Sequence, residues 1–265
     1  TTSGGLTMAN GDRDWRGILD RKFATATLNS LGLDADTRLL AVCAGIEDWE
    51  LLSSLGFTDM VVSNLDEAFA PLVPDGAWSF QDAQSLSFED RSFDWVFVSE
   101  GLHHCRSPHR ALGEMYRVCR KGIVAIEARD SALMRLAVRM GMADDYELAA
   151  VTDQGFHTGG LDNTSVPNHV YRWTESEVVK TLRSYDPTGE PRVEFRYGLR
   201  LPTAEATGRR RRLAGKFAKP ALAALCIVFK RQRNQLAVIA RRPTELYPWL
   251  HRVDGEIQFN PNYSD

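Results

Sequence analysis

Small and polar residues that could contact a ligand stand directly after each of four apolar runs. Small residues let a backbone loop approach a bound molecule closely, and polar side chains there can donate or accept hydrogen bonds. In chain order the candidates are Cys43, Ala44 and Gly45, then Asn64 and Leu65, then Asp82 and Ala83, and then Ser99 and Glu100. Such a series predicts one binding site that several loops assemble together.

Histidines supply the candidates for proton transfer. His103 and His104 follow the fourth apolar run, and an imidazole titrates near neutral pH, so either could take a proton from a nucleophile. The alternative is that one of the pair caps the next helix. His157 lies in a glycine-rich stretch and is a second candidate base, with ordinary loop polarity as its alternative, whereas His109 and His169 are expected to be structural. No three potential ligands have convincing metal spacing, so no metal is predicted.

Strand and helix patterns alternate five times in the first half of the chain. Helices are expected between short apolar runs, which are typical of strands buried on both faces of a sheet. The predicted strands are 38–44, 59–65, 77–83, 92–100 and 122–128, and the predicted helices are 47–57, 66–72 and 107–121. This order predicts an α/β fold with a mostly parallel sheet and helices on both faces. The candidate residues then stand at the carboxyl ends of the strands, where such sheets bind ligands.

A long insertion and two further strands follow. Residues 129–172 interrupt the alternation with a predicted helix at 131–141 and a loop at 152–172 that is rich in Gly, Asn, Thr and Pro. We interpret the insertion as a lid over the site. One domain is expected, with an N-terminal helix at 13–31, a helix at 175–185 opened by a capping box of Thr174 and Glu177, strands at 191–201 and 234–242, and a tail at 243–265.

Composition excludes several classes of protein. The net charge of −3 gives no global electrostatic footprint for nucleic acid, so no nucleic-acid partner is expected. The four cysteines form no C-x-x-C pair, which argues against a zinc cage or a disulfide framework. No signal peptide is expected, and no apolar run reaches the roughly 20 residues that span a bilayer. A cytoplasmic protein is the resulting expectation.

A basic segment at 209–219 precedes an apolar run at 221–229. Basic residues beside an apolar helix could contact an anionic membrane surface or an anionic substrate. The alternative, which we favour because the run is short, is a solvated turn before a helix that packs on the sheet.

The stretch 81–122 resembles class I (Rossmann-like) S-adenosylmethionine (SAM)-dependent methyltransferases of the type 11 group. The matching features are Asp82-Ala83, Leu86 with Phe88, Ser92-Phe93-Asp94, Leu102-His103-His104, and Arg117-Val118-Cys119-Arg120-Lys121-Gly122. The resemblance extends over 37–128 and, more weakly, over 173–242. It implies a seven-stranded Rossmann-like sheet and SAM as the cofactor, with S-adenosylhomocysteine (SAH) as its product.

Each strand end has a role in the resemblance. Asp82 would accept from the adenine amino group and Ala83 would donate its amide to the ring, while Ser99 and Glu100 would line the aminoacyl pocket. Asn64 stands where the family usually has the acid that binds the ribose hydroxyls, and Asp66 is the alternative, unless it is a helix N-cap. The first loop departs from the glycine-rich form, with Ala41, Cys43 and Glu47 at its usual Asp and two of its Gly positions.

Three classes of function remain after this comparison. The leading hypothesis is methyl transfer to oxygen or nitrogen of a small molecule, such as a sugar or secondary metabolite. An RNA methyltransferase is weaker, because only one basic cluster is visible. A nicotinamide oxidoreductase would need the missing G-x-G-x-x-G, and Glu47 would repel a pyrophosphate. A non-catalytic binding protein on the same fold is the third class.

Overall fold

The computed structural model describes residues 21–200 and 224–264. Its helices are α1 (Arg21–Asn29), α2 (Ile46–Ser54), α3 (Pro108–Val118), α4 (Ala132–Arg139), α5 (Leu148–Asp153) and α6 (Glu175–Tyr185). Its strands are β1 (Leu39–Ala41), β2 (Met60–Asn64), β3 (Trp78–Phe80), β4 (Phe93–Ser99), β5 (Cys119–Ala128), β6 (Arg192–Gly198), β7 (Gln235–Arg241), β8 (Leu250–Val253) and β9 (Glu256–Phe259). Short 3₁₀ helices occupy Glu67–Leu72, Leu102–His104, Leu161–Asn163 and Lys230–Gln232.

The central sheet has seven strands in the order β3-β2-β1-β4-β5-β7-β6. The first five pair in parallel, and β7 runs antiparallel to both of its neighbours. The strand order reverses between β1 and β4, which is the point where sheets of this type bind ligands beyond their carboxyl ends. The predicted Rossmann-like, mostly parallel seven-stranded fold is therefore confirmed.

Both faces of the sheet are covered by helices. Neighbouring strand residues point to opposite sides, so each strand contributes apolar side chains to both faces. Leu40 joins the core that α3 and α6 cover, whereas Leu39 and Ala41 join the core under α1 and α2. The buried residues on the α3 and α6 side include Leu112, Tyr116, Val178 and Leu182, and those on the α1 and α2 side include Ala24, Leu28, Leu51 and Leu52.

Several boundaries differ from prediction. The helix expected to run to residue 121 ends at Val118, and β5 already begins at Cys119 rather than at residue 122. Ser107 is the N-cap of α3, but its hydroxyl makes no capping hydrogen bond. The short helix expected at 66–72 is a 3₁₀ helix over Glu67–Leu72 that contains Pro71. The capping box of α6 is confirmed.

The apolar run at 221–229 does not pack as predicted in its described part. Residues 224–228 are helical, but Ile227, Val228 and Phe229 are exposed and only Cys226 is buried among the hydrophobic residues there. The basic segment at 209–219 lies outside the described residues, as do residues 13–20 of the predicted N-terminal helix. Within the described chain, none of the helices has the length and apolar character that crossing a bilayer requires. The tail forms a hairpin of β8 and β9.

Candidate active site

The loop after β1 lies against the end of β4. Cys43 has a left-handed backbone, with φ of 52°, and Ala44 donates its amide to the Ser63 carbonyl at 3.0 Å. A Cβ atom on Gly101 would come within 2.5 Å of the Cys43 Cβ, so only glycine allows this approach. The two strand ends at the reversal of strand order are therefore in contact.

Asn64 ties the end of β2 to the same loop. Its side-chain Nδ2 donates to the Ala44 carbonyl at 3.0 Å, and its Oδ1 accepts from the backbone amide of Asp66 at 3.3 Å. Asp66 in turn accepts from the Ala68 amide at 3.0 Å as the N-cap of the 3₁₀ helix. The capping alternative for Asp66 is thereby supported, while Asn64 faces the loop. Leu65 offers its carbonyl to Asn163 of the insertion at 3.2 Å.

Asp82 joins the end of β3 to the insertion. Its Oδ1 accepts from the Gln84 amide at 2.8 Å and from the Gln84 side chain at 3.1 Å. The Gln84 side chain also donates to Asp162 at 3.0 Å, and Asp162 pairs with Arg106 at 3.0 Å. Ala83, next in the chain, is buried. The insertion thus lies across the strand ends, as a lid would.

Ser99 is the last residue of β4, and Glu100 follows it. Glu100 pairs with Arg200 and accepts from Gln235 at 3.2 Å. Burial raises the pKa of the Glu100 carboxyl, and the nearby Arg200 opposes that rise. The Ser99 hydroxyl is buried and has no hydrogen-bond partner among the described residues. A bound polar ligand would give this hydroxyl the partner it lacks.

Asp48 is a site residue that sequence reasoning missed. It stands at the third position of α2 and accepts from the Gly45 amide at 3.0 Å. Burial raises the pKa of Asp48 to about 7, and the Gly45 amide acts in the opposite direction. The signal was present in the sequence, since an acid three residues after a small N-cap residue is a capping pattern.

His103 is buried between two carboxylates. Its Nδ1 lies 3.0 Å from Glu127 Oε2 and its Nε2 lies 3.3 Å from Glu147 Oε2. Burial alone would lower the pKa of His103, but the hydrogen bonds to Glu127 and Glu147 prevail and raise it well above its ordinary value. Glu127 Oε1 also accepts from the amides of Gly101 and Leu102 at 3.0 and 2.8 Å.

His104 completes this cluster on its solvent side. Its Nε2 lies 3.3 Å from the same Glu147 oxygen, which also accepts from Asn168 at 3.2 Å. Burial, followed by the charge of His103, lowers the pKa of His104. The pKa of Glu147 falls to about 2, because contacts with His103 outweigh the effect of burial.

The other histidines lie elsewhere. His157 is exposed in the insertion, and His109 pairs with Glu177 at 3.0 Å. His169 packs its ring against Tyr146. Of the candidate bases, therefore, His103 and His104 lie beside the strand ends, and the exposed His157 does not.

Two of the three carboxylate and amide members of the polar cluster could not be found by spacing. Glu127 sits inside an apolar strand, which was a usable signal, but Glu147 and Asn168 come from the insertion. A surface cavity of about 440 Å³ lies at the opposite end of the sheet, against Asp59 and Gly76. That cavity is separate from the site that the candidates form.

The seven-stranded Rossmann-like fold is shared with solved methyltransferase structures. A chain of the Haloferax volcanii complex of a methyltransferase with its activator shares it, with a TM-score of 0.52, 15% identity, and coverage of 88% of this chain and 94% of that one. A SAM-dependent methyltransferase from Mesorhizobium loti has a TM-score of 0.51 and 15% identity, covering 82% of this chain and 96% of that one.

Residues 19–126 match the family model described as a methyltransferase domain. Demethylmenaquinone methyltransferase from Staphylococcus aureus is 30% identical over 118 residues. That match covers 40% of this chain and 49% of the relative, so it spans about half the length of the curated relative.

Proposed function

We propose that this protein is a SAM-dependent methyltransferase that acts on oxygen or nitrogen of a small molecule. The observation that carries the proposal is the convergence of four strand ends, through the contacts of Gly101 with Cys43, of Asn64 with Ala44, and of Asp82 with Gln84, whose side chain donates to Asp162 of the lid. The methyltransferase domain family supports the same activity.

The residues at this edge fit the cofactor. When bound, SAM supplies a methyl group already activated by its sulfonium. Within the described residues both hydrogen bonds to the Asp82 carboxylate use Oδ1, so Oδ2 can accept from an adenine amino group. The Ala83 amide, the small residues Cys43, Ala44 and Gly45, and Leu65 would line the pocket. Ser99 and Glu100 would face the aminoacyl end, where the unpaired Ser99 hydroxyl needs a partner.

Asn64 and the acceptor side define the remaining roles. Asn64 would bind a ribose hydroxyl from the position where it already holds the first loop. The acceptor's lone pair forms the bond to the methyl carbon while the carbon–sulfur bond breaks and its electrons stay on sulfur. The acceptor's proton would leave toward the polar cluster after β4, where His104 is half-buried, rather than toward the exposed His157.

Transfer of a labelled methyl group tests the proposal. The protein would be incubated with methyl-labelled SAM and four classes of acceptor: hydroxylated small molecules, small amines, demethylmenaquinone and transfer RNA. We expect label on oxygen or nitrogen of a small molecule. Label on RNA alone, or on a quinone carbon alone, would refute the substrate class. SAH binding without transfer to any acceptor would favour a non-catalytic binding protein.

A further inference from the structure

We propose that His103, His104 and Glu147 bind a divalent transition-metal ion of the zinc type. The ligand atoms are the Nε2 atoms of the two histidines and a carboxylate oxygen of Glu147. One oxygen and two imidazole nitrogens form a donor set that suits zinc and neighbouring first-row metals rather than magnesium or calcium.

The separations of the three atoms match such an ion. Each Nε2 lies 3.3 Å from Glu147 Oε2, and all three ligand atoms lie within 4.8 Å of one another. Ligands about 2.0–2.2 Å from a tetrahedral zinc ion are about 3.3–3.6 Å apart. The histidine–carboxylate distances therefore already fit, and the separation of the two histidine ligand atoms, which is at most 4.8 Å, would have to shorten when the ion binds.

Outer contacts hold each ligand as metal sites require. Glu127 accepts from His103 Nδ1 at 3.0 Å, so the other ring nitrogen is directed to Glu147. The His104 ring packs against the His103 ring, with the two centroids 4.7 Å apart. Asn168 donates to Glu147 and to the His103 carbonyl, both at 3.2 Å. A carboxylate or backbone partner on the second ring nitrogen is the usual support of a metal-bound histidine.

The charge of the cluster calls for a cation. His103 has a carboxylate oxygen at each ring nitrogen, and a neutral imidazole can donate to only one of them. Either a proton or a metal ion must fill the second place. A divalent ion balances the two carboxylates of Glu127 and Glu147, whereas a proton on His103 balances one.

Access and an open position complete the argument. The side chains of His104 and Glu147 are 30% and 32% exposed, so an ion can enter, while His103 at 5% is fixed. Three protein ligands leave a fourth position for water or for an acceptor oxygen, as in catalytic zinc sites. This role, which rests on the proposed function, would lower the pKa of an acceptor hydroxyl beside the methyl donor. In metal-free protein, His104 alone would take up the acceptor's proton.

Titration of zinc into chelator-stripped protein tests the site. Calorimetry would be run on the natural protein, on Glu147→Gln and on His104→Ala, with His109→Ala as a matched control because His109 forms a similar pair with Glu177. Cobalt would provide a visible absorption spectrum that reports tetrahedral coordination. We expect one zinc per chain with submicromolar affinity, at least 100-fold weaker binding in both cluster variants, and no change in the control.

Thermal melting and SAH titration provide two further measurements on the same variants. Zinc should raise the melting temperature of the natural protein and of His109→Ala but not of the cluster variants, whose metal-free melting shows whether they fold. Binding no tighter than that of magnesium, or zinc affinity unchanged in Glu147→Gln, would overturn the proposal in favour of a simple imidazolium. SAH titration of the same samples separates the two proposals, since failure of zinc binding leaves SAH binding intact.

Discussion

The side-chain Nδ2 of Asn64 donates to the Ala44 carbonyl oxygen at 3.0 Å, and this bond joins the end of β2 to the loop after β1. The resemblance expects an acid at this position, yet a carboxylate has no proton to donate. Asn64 therefore has a structural task that the usual residue could not perform in this loop. The altered first loop, with Cys43 and Ala44, and the altered β2 residue belong to one arrangement.

Asn64→Asp should weaken the binding of SAH although it restores the acid of the family. The substitution removes a hydrogen bond and sets a carboxylate against the Ala44 carbonyl. We expect roughly 5- to 30-fold weaker binding by calorimetry, the equivalent of about 1–2 kcal/mol. Asp66→Asn, which keeps a capping oxygen, serves as the control. Tighter binding by Asn64→Asp would show that the bond to Ala44 does not shape the pocket.

The contact of Asp162, in the insertion, with Arg106 can be tested by hydrogen exchange. Asp162 has a left-handed backbone, with φ of 49°, which asparagine tolerates. Asp162→Asn removes the ion pair with Arg106, and we expect amides at 159–163 to exchange about two- to fivefold faster. Asp153→Asn, in an exposed part of the same insertion, should leave those amides unchanged. Equal exchange in all three proteins would mean that the ion pair does not stabilise this part of the insertion.

Arg117 explains part of the family resemblance in physical terms. Its guanidinium donates to the carbonyls of Leu86 and Phe88 at 2.7 and 2.8 Å and to Glu114 at 2.9 Å. Lysine cannot make these bonds together, so Arg117→Lys should lower the free energy of unfolding by about 1–3 kcal/mol. Urea denaturation measures this loss, with the half-exposed Arg120→Lys as the control. Equal stability of the two variants would contradict the role.

Asp48 should make stability fall as pH rises. Its pKa is about 7 in the folded protein and about 4 when unfolded, so the unfolded chain ionises first. The cost is absent below about pH 4, grows between about pH 4 and 7, and is constant above. Asp48→Asn keeps an acceptor for the Gly45 amide and should raise the free energy of unfolding by about 1–3 kcal/mol at pH 8, a range that is limited by the partial exposure of Asp48. At pH 4 it should not change the free energy of unfolding.

Thermal melting against pH checks this difference, with the exposed Asp75→Asn as the control. A stability gain for Asp48→Asn that is the same at pH 4 and pH 8 would show that ionisation of Asp48 is not its source.

Sequence patterns predicted the sheet because each strand is a short apolar run closed by a small or polar residue. They also predicted which residues stand at the strand ends, since order along the chain fixes position in a parallel sheet. The exact ends of α3 and β5 were missed because residues 119–121 suit a helix locally, whereas Cys119 already pairs with Phe93 of β4, ahead of an irregularity in the register before Gly122.

The polar cluster was not predictable in the same way. His103 and His104 were recognised, but Glu147 joins them from 43 positions further along the chain, through an insertion whose course no periodicity determines. For the same reason, spacing alone predicted no metal-binding group. The exposed Ile227 and Val228 show that an apolar run in the sequence need not be buried in the structure.

Calorimetric titration of SAH into the protein, with NAD as the control ligand, tests the central claim of a SAM site most directly. We expect micromolar binding of SAH, no binding of NAD, at least tenfold weaker SAH binding in Asp82→Ala, and unchanged binding in Asp75→Ala. Absence of SAH binding, or SAH binding that Asp82→Ala leaves intact, would contradict the assignment of this edge of the sheet as the cofactor site.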